Sequence, residues 1–263
     1  MKRPIVTLTT SWGTGGFFAG MVKGALYSLI EDVEVVDITH DLDPYYLMTS
    51  IFVVRNACMG FPAGTVHIID AGSQYSAEHP FVCVKARGQY YLCADNGLPA
   101  QAFGDEIEDV SALPVQPGGI YNFAAYSLFA GVARKLVGGA TMREIGPQHL
   151  SLCRKSLDTY LLQGEYYRIY IHYIDRYGNA YLGMSYEDFN ALRQGRPFVM
   201  MVRDQEITEL SASYYQQTAT GGRSQRLRLT VSATGMLEIA ISESSMAQYI
   251  GLRVNEPVLL KFK

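Results

Sequence analysis

Cysteine is scarce in this 263-residue chain: four residues, Cys58, Cys83, Cys93 and Cys153, with no C-x-x-C pair and no metal-ligand spacing. No metal site or disulfide framework is therefore expected, and Cys83 and Cys93, in apolar strand-like runs, read as buried free thiols. An excess of one charge is also missing. With 22 Lys+Arg against 25 Asp+Glu, the formal net charge is −3, which gives no electrostatic case for a nucleic-acid partner. No apolar run reaches membrane-spanning length, so no membrane partner is expected. Met1-Lys2-Arg3 leads into a proline and threonines and not into a signal-peptide core, so a reducing, cytoplasmic location is expected. There is no repeat, linker tract or low-complexity segment. Neither G-x-G-x-x-G nor Gly-Lys-Ser/Thr follows the first strand-like run, which argues against dinucleotide and P-loop readings.

What is present suits a compact protein with a sizeable core: 48% hydrophobic and 18% charged residues. The 19 tyrosines point to wide, partly polar interfaces or a stacking pocket. The organising stretch is Ile5 to Leu26. Ile5-Val6-Thr7-Leu8-Thr9-Thr10 reads as a buried strand, Ser11 to Gly16 as a small-residue turn, and Phe17, Met21, Ala25 and Leu26 as one side of a helix. Strand, glycine-rich turn and helix form the first unit of an open α/β sheet, in which ligands sit outside the carboxyl ends of the strands. A tight turn without a ligand is an equal alternative at this point.

Val33 to Thr39 reads as a second strand, with His40 to Tyr45 as its exit. Asp43 is expected to cap a helix that has Pro44 at its first position and runs to about Met59. Thr65 to Asp70 is a third strand ending on an acid. Phe81 to Lys85 and Tyr90 to Ala94 read as a hairpin about Gly88, followed by Asp95-Asn96-Gly97 and a short helix. Asn122 to Val137 is a second long helix stopped by Gly138-Gly139. From about Tyr166 the pattern alternates, as in Leu227-Leu229-Val231 and Leu237-Ile239-Ile241, and predicts antiparallel strands. The expected fold class is α/β: a sandwich-like domain with a mostly parallel sheet over 1–149, a linker over 150–160, and a smaller antiparallel β-rich domain over 161–263.

If the first three strands are parallel neighbours, Ser11 to Gly16, His40 to Tyr45 and Asp70 share one sheet edge. That edge would form a concave site with a carboxylate, hydroxyls and an aromatic. The plainer readings are a capping acid at Asp70, a backbone-bonded loop histidine at His40 and core packing for Tyr45. Ile174 to Asn179 reads as a turn; the other reading sets Tyr177 and Asn179 against a purine.

Several stretches together resemble one family, the S-adenosylmethionine hydroxide adenosyltransferases, relatives of fluorinase and chlorinase. Thr9 to Gly24 is similar, without a gap, to the family's T-T-D-F-G-T-x-D-x-Y-V-G-x-M-K-G. Val36-Asp37-Ile38-Thr39-His40 with Pro44 resembles V-D-I-T-H…P, and Phe61 to His67 resembles F-P-x-G-T-I-H. Asp95-Asn96-Gly97-Leu98, the Leu128 to Leu136 segment, Ile174 to Asn179 and Gly235 to Ala240 resemble D-N-G-L, I-F-A-P-V-A-A-x-L, I-D-R-F-G-N and G-x-L-E-I-A. The likeness covers nearly the whole chain in order.

The resemblance implies a two-domain protein that forms a homotrimer, binds a small-molecule adenosyl ligand between subunits, and needs neither metal nor cofactor beyond S-adenosylmethionine as substrate. The implied reaction is in-line attack of water on the 5′ carbon, giving adenosine and methionine. Carried over position by position, it implies Asp70 as the acid that arranges the water. It implies a substrate-binding set of Ser11, Thr14, Tyr45, Asn96, Tyr177, Asn179 and Ser242. The departures fall on charge. The two acids of the opening motif are Ser11 and Gly16, an Arg-Arg pair is Glu78-His79, and an F-H-G-R-D run is Phe123-Ala124-Ala125-Tyr126-Ser127. His79 or Glu78 would then have to swing beside Asp70 to replace the missing orienting groups. The readings that compete with a hydrolase are a non-catalytic nucleoside-binding trimer on the same scaffold and an enzyme for a less polar substrate.

Overall fold

The computed structural model describes residues 3–116, 118–149, 151–155, 159–214, 227–241 and 251–263. The chain divides into two compact units, Met1–Lys155 and Ser156–Lys263.

In the first unit, β1 (Ile5–Thr10), α1 (Phe18–Leu29), β2 (Glu34–Thr39), α2 (Leu47–Cys58) and β3 (Val66–Asp70) alternate as the periodicity predicts. They are followed by β4 (Phe81–Ala86), β5 (Gln89–Ala94), α3 (Leu98–Phe103), β6 (Ile107–Ala112), α4 (Ala130–Val137) and α5 (Met142–Ile145). The six-stranded sheet has the order β2-β1-β3-β5-β4-β6. The β2-β1-β3-β5 run is parallel, and β4 pairs antiparallel with both β5 and β6. Alternate residues serve opposite faces, because successive side chains of a strand point to opposite sides. Val6, Leu8, Ile68, Phe81, Cys83 and Leu92 pack with Val22 and Leu26 of α1 and Val132 and Leu136 of α4. On the other face lie Thr7, His67 and Tyr91, with Tyr91 against Phe103 of α3 at 4.2 Å between ring centroids. His67 shares a 2.7 Å hydrogen bond with Thr7 Oγ1 and stacks on Tyr91. Burial pulls its pKa down to about 4, so it is neutral and structural. Burial also pushes the thiols of Cys58 and Cys83 up to about 12, which leaves them inert.

Two local expectations are corrected. Asp43 does not cap a helix beginning at Pro44. Its Oδ1 accepts from Tyr45 N at 2.8 Å, closing a turn of its own, and α2 begins at Leu47. Tyr45 is consequently not core packing but 90% exposed. The second long helix does not start as an α-helix: Ala125–Phe129 is a π turn that leads into α4. Ala130 N donates to the Ala125 carbonyl, five residues back, which is the bond of the wider turn, and Phe123 O ahead of it accepts from Ser127 N at 3.0 Å and Ser127 Oγ at 3.1 Å. π turns of this kind gather at functional sites.

The second unit is antiparallel. It contains β7 (Tyr160–Gln163), β8 (Tyr166–Ile174), β9 (Ala180–Ser185), α6 (Tyr186–Arg193), β10 (Phe198–Val202), β11 (Gln205–Ile207), β12 (Leu227–Val231), β13 (Met236–Ile241) and β14 (Pro257–Phe262). The sheet order is β11-β10-β14-β8-β9-β13-β12, with β7 paired to β8. The chain just past β11 returns to β12, where Ser211 N donates to Leu229 O at 2.8 Å, so the sheet curls toward closure. Its interior is apolar, from Ile169 and Leu182 to Leu229, Ile239 and Leu260. The segment from Ile174 to Asn179 is the β8–β9 turn, closed by Gly178 N to Asp175 O at 2.9 Å and Asp175 N to Asn179 O at 3.0 Å.

Candidate functional site

Because β2, β1, β3 and β5 are parallel neighbours, their carboxyl ends lie on one edge, and the chain exits there are stitched together. Ser11 N donates to Asp70 O at 3.1 Å, Gly13 N to His40 O at 2.7 Å, and Leu42 N to Thr10 O at 3.1 Å. Gly72 closes the loop after β3 at φ +60°, where a Cβ would stand 2.7 Å from the Pro44 carbonyl oxygen; a side chain there would push the β2 and β3 exits apart.

At the centre of this edge is Asp70, at the tip of β3. The Trp12 indole donates from Nε1 to Asp70 Oδ2 at 3.1 Å. Burial lifts the pKa of the carboxyl from 3.8 to about 6, against the opposing bonds from Trp12 and Ser73. An exposed aspartate at about 3.9 would be a poor acceptor of protons near neutrality; this one titrates close to the working range. The indole itself is walled in by aromatics. His40 stacks on it at 5.6 Å and 13°, Phe123 meets it edge-on at 5.1 Å and 74°, and Phe18 lies at 6.5 Å. Phe17 and Tyr126 extend that wall outward.

His40 is not the backbone-bonded loop histidine of the plainer expectation. Its Nδ1 shares a 2.7 Å hydrogen bond with the Thr10 hydroxyl, and its ring braces Trp12. Its Nε2 is 3.3 Å from Asp37 Oδ1, a charge-pair distance outside hydrogen-bond geometry. The expected rescue of Asp70 by its downstream neighbours is not seen either. Glu78 is exposed. The His79 ring donates from Nδ1 to Asp95 O at 2.9 Å, because the Ser76–His79 turn aims it at the exit of β5. Ala124 is buried in the core of the first unit at 2% exposure, so no polar group reaches the site from that position.

Among the other expected residues, Ser11 and Thr14 lie in the β1 exit, partly buried and exposed respectively. Asn96 follows β5 and is engaged structurally, its Oδ1 accepting from Leu98 N at 3.1 Å. In the second unit Tyr177 is 81% exposed at the β8–β9 turn, while Asn179 is tied to Asp175 through N–Oδ1 at 2.9 Å and Nδ2–Oδ2 at 3.2 Å. Ser242 lies outside the described residues. The sequence reading missed two features. One is Trp12 as a donor to Asp70. The other is Asp95, whose buried carboxylate accepts from Cys153 N at 2.9 and 3.0 Å and from His149 Nε2 at 3.0 Å. Asp95 stood in the D-N-G-L likeness, but its partners are more than fifty residues away and leave no local trace.

The first unit sets a half-hidden, aromatic-walled carboxylate on the sheet edge where open α/β sheets take their ligands, and an antiparallel β unit follows it in the chain. Family models match most of this chain. The SAM hydroxide adenosyltransferase N-terminal domain matches residues 6–146, and the C-terminal domain of the same family matches residues 169–259. The chain belongs to the SAM hydroxide adenosyltransferase family.

Similar curated proteins agree. An (R)-S-adenosyl-L-methionine hydrolase of Methanocaldococcus jannaschii is 29% identical over 99 residues, 36% of this chain and 37% of that protein's length. One from Salinispora tropica is 23% identical over 259 residues, 95% of this chain and 94% of the relative. Among solved structures, an uncharacterized conserved protein from Thermotoga maritima superposes with a TM-score of 0.81 at 19% identity, over 98% of this chain and 99% of that one. A conserved hypothetical protein from Thermus thermophilus superposes with a TM-score of 0.73 at 21% identity, over the full length of both chains. At these identities the two structures speak for the fold.

Proposed function

We propose that this chain hydrolyses S-adenosylmethionine to adenosine and methionine, with Asp70 as the group that holds the attacking water. The observation that carries the reading is the position of Asp70: a half-hidden acid on the common edge of three parallel strands, with one carboxyl oxygen held by Trp12 and a pKa raised to about 6. Relatives named as (R)-S-adenosyl-L-methionine hydrolases support the substrate. The chemistry suits a site with little charge. The water oxygen forms a bond to the 5′ carbon as the carbon–sulfur bond breaks, and the bonding pair goes to sulfur. Methionine leaves as a neutral thioether, so no acid is needed at the leaving group. The water proton passes to Asp70, and orientation and exclusion of bulk water supply much of the rate. The aromatic faces of Trp12, Phe18 and Phe123 suit a sulfonium cation.

The proposal includes the homotrimer with intersubunit sites; exposed Phe17, Tyr45 and Ile120 offer apolar surface for such contacts. It includes substrate contacts from Ser11, Thr14, Tyr45, Tyr177 and Asn179, and a cytoplasmic location, in keeping with the buried free thiols at Cys58, Cys83 and Cys93. No helix among the described residues is long and apolar enough to cross a membrane. The test is incubation of the purified protein with S-adenosylmethionine, chromatography for adenosine and methionine, and calorimetry with the same ligand. Stoichiometric release of both products is expected. Binding without turnover would overturn the hydrolase reading in favour of a binding protein, and neither binding nor turnover would overturn the choice of substrate.

A further inference from the structure

We propose that Trp12 is the positioning residue of this site, its indole N–H fixing one oxygen of Asp70 so that the other is presented to water. The role of Asp70 in turnover rests on the hydrolase reading; the coupling between the two side chains does not.

The geometry carries the inference. The indole N–H of Trp12 is 3.1 Å from Asp70 Oδ2, within ordinary hydrogen-bond range. Phenylalanine at this place would keep the ring contacts and lose the donor. The ring is prevented from turning away by a stack on His40 at 5.6 Å, an edge contact with Phe123 at 5.1 Å and the Phe18 ring at 6.5 Å. The backbone on either side is pinned as well, by Ser11 N to Asp70 O and by Gly13 N to His40 O. The stacking partner is itself held, through the 2.7 Å bond from His40 Nδ1 to Thr10 Oγ1. The donor therefore stands in place before any ligand arrives, which is what a positioning group requires.

The electrostatic consequence has a definite sign. Burial raises the proton affinity of Asp70, and the bond from Trp12 opposes it. Removing the donor makes the carboxylate harder to ionise. The other groups facing this pair are the hydroxyls of Ser11 and Ser73, the imidazole of His40, and, behind His40, the Asp37–Lys23 pair.

Trp12 is the one tryptophan in the chain, so its emission reports the surroundings of this ring, the bond to Asp70 and the stack on His40. In the full-length protein, tryptophan emission is expected to titrate with a midpoint at about 6. The transition should persist in His40→Asn, where the stacked imidazole is gone, and vanish when Asp70→Asn is added to that variant. A titration that survives Asp70→Asn in the His40→Asn background, or that disappears in His40→Asn alone while the fold is intact by circular dichroism, overturns the assignment. In Trp12→Phe, carboxyl-carbon NMR of labelled aspartate should place the Asp70 titration about one pH unit higher. The acid limb of the turnover profile should move up with it, lowering the rate at pH 6 about fivefold. An unmoved Asp70 titration overturns the positioning role. Should turnover of S-adenosylmethionine be absent altogether, the emission and NMR arms still decide the coupling, and the hydrolase reading fails by itself.

Discussion

Two aspartates close adjacent parallel strands on the same sheet edge, and they are treated differently by their surroundings. Asp95, after β5, is buried to 2% exposure and has donors on both oxygens: a backbone N–H from Cys153 and an imidazole N–H from His149. Its carbonyl is engaged too, by His79. Asp70, after β3, has the neutral Trp12 indole on one oxygen and a hydrogen bond from Ser73, and burial outweighs both, leaving the carboxyl with a pKa near 6. A fully provisioned buried carboxylate anchors distant segments of chain. An under-provisioned one keeps its proton chemistry available, at a cost in stability. The cavity of about 550 Å³ that His149 lines with Ala100, Ile107 and Leu152 lies on the anchoring side, away from the residues that face Asp70.

The largest expected effect tests that division directly. Asp70→Asn should lower release of adenosine by about 100-fold or more, because a carboxyl that accepts the water proton contributes on that scale. Retention of most of the activity would assign the chemistry elsewhere. Asp95→Ala should do the reverse. Activity per folded molecule changes little, but stability falls by about 2 kcal/mol, since the part-buried donors on Cys153 and His149 are left without their acceptor. Urea unfolding at pH 7 checks this, and a loss under about 1 kcal/mol would remove the anchoring role.

The third test concerns linkage. Because the Asp70 pKa rises from 3.8 to about 6 on folding, the folded chain binds more protons than the unfolded one across that window. Stability therefore falls as pH rises through it and stays lower above it. Asp70→Asn should accordingly be more stable than the parent by about 2 kcal/mol at pH 8, the difference fading toward pH 4. A variant less stable than the parent at pH 8 would mean that Asp70 is an anchor like Asp95. The smallest effect is expected of His79→Ala: under about 1 kcal/mol in stability, from one bond to a carbonyl, and a change in turnover of less than about threefold. A loss as large as that of Asp70→Asn would return His79 to the chemistry.

The sequence was most legible where the signal was local. Alternating apolar residues and the turn glycines announced β1, β2, β3, the β4–β5 hairpin and the antiparallel second unit, because side-chain period and turn conformation are properties of a few neighbouring residues. It was least legible where partners are remote. Nothing local marks the bond between Trp12 and Asp70, 58 positions apart, or the loop of chain that brings His149 and Cys153 to Asp95. The misplaced helix start at Pro44 shows the same limit: Asp43 has the side chain of a helix cap and uses it for a turn instead.

The order of side chains along this chain determined which strands are buried, which end on acids, and which ancestral scaffold they follow. Folding alone decided which of those acids would be satisfied and which left hungry for a proton. Burial and donor placement are set by groups that meet only when parallel strands are laid side by side, and a carboxyl's proton affinity answers to those neighbours rather than to its place in the chain.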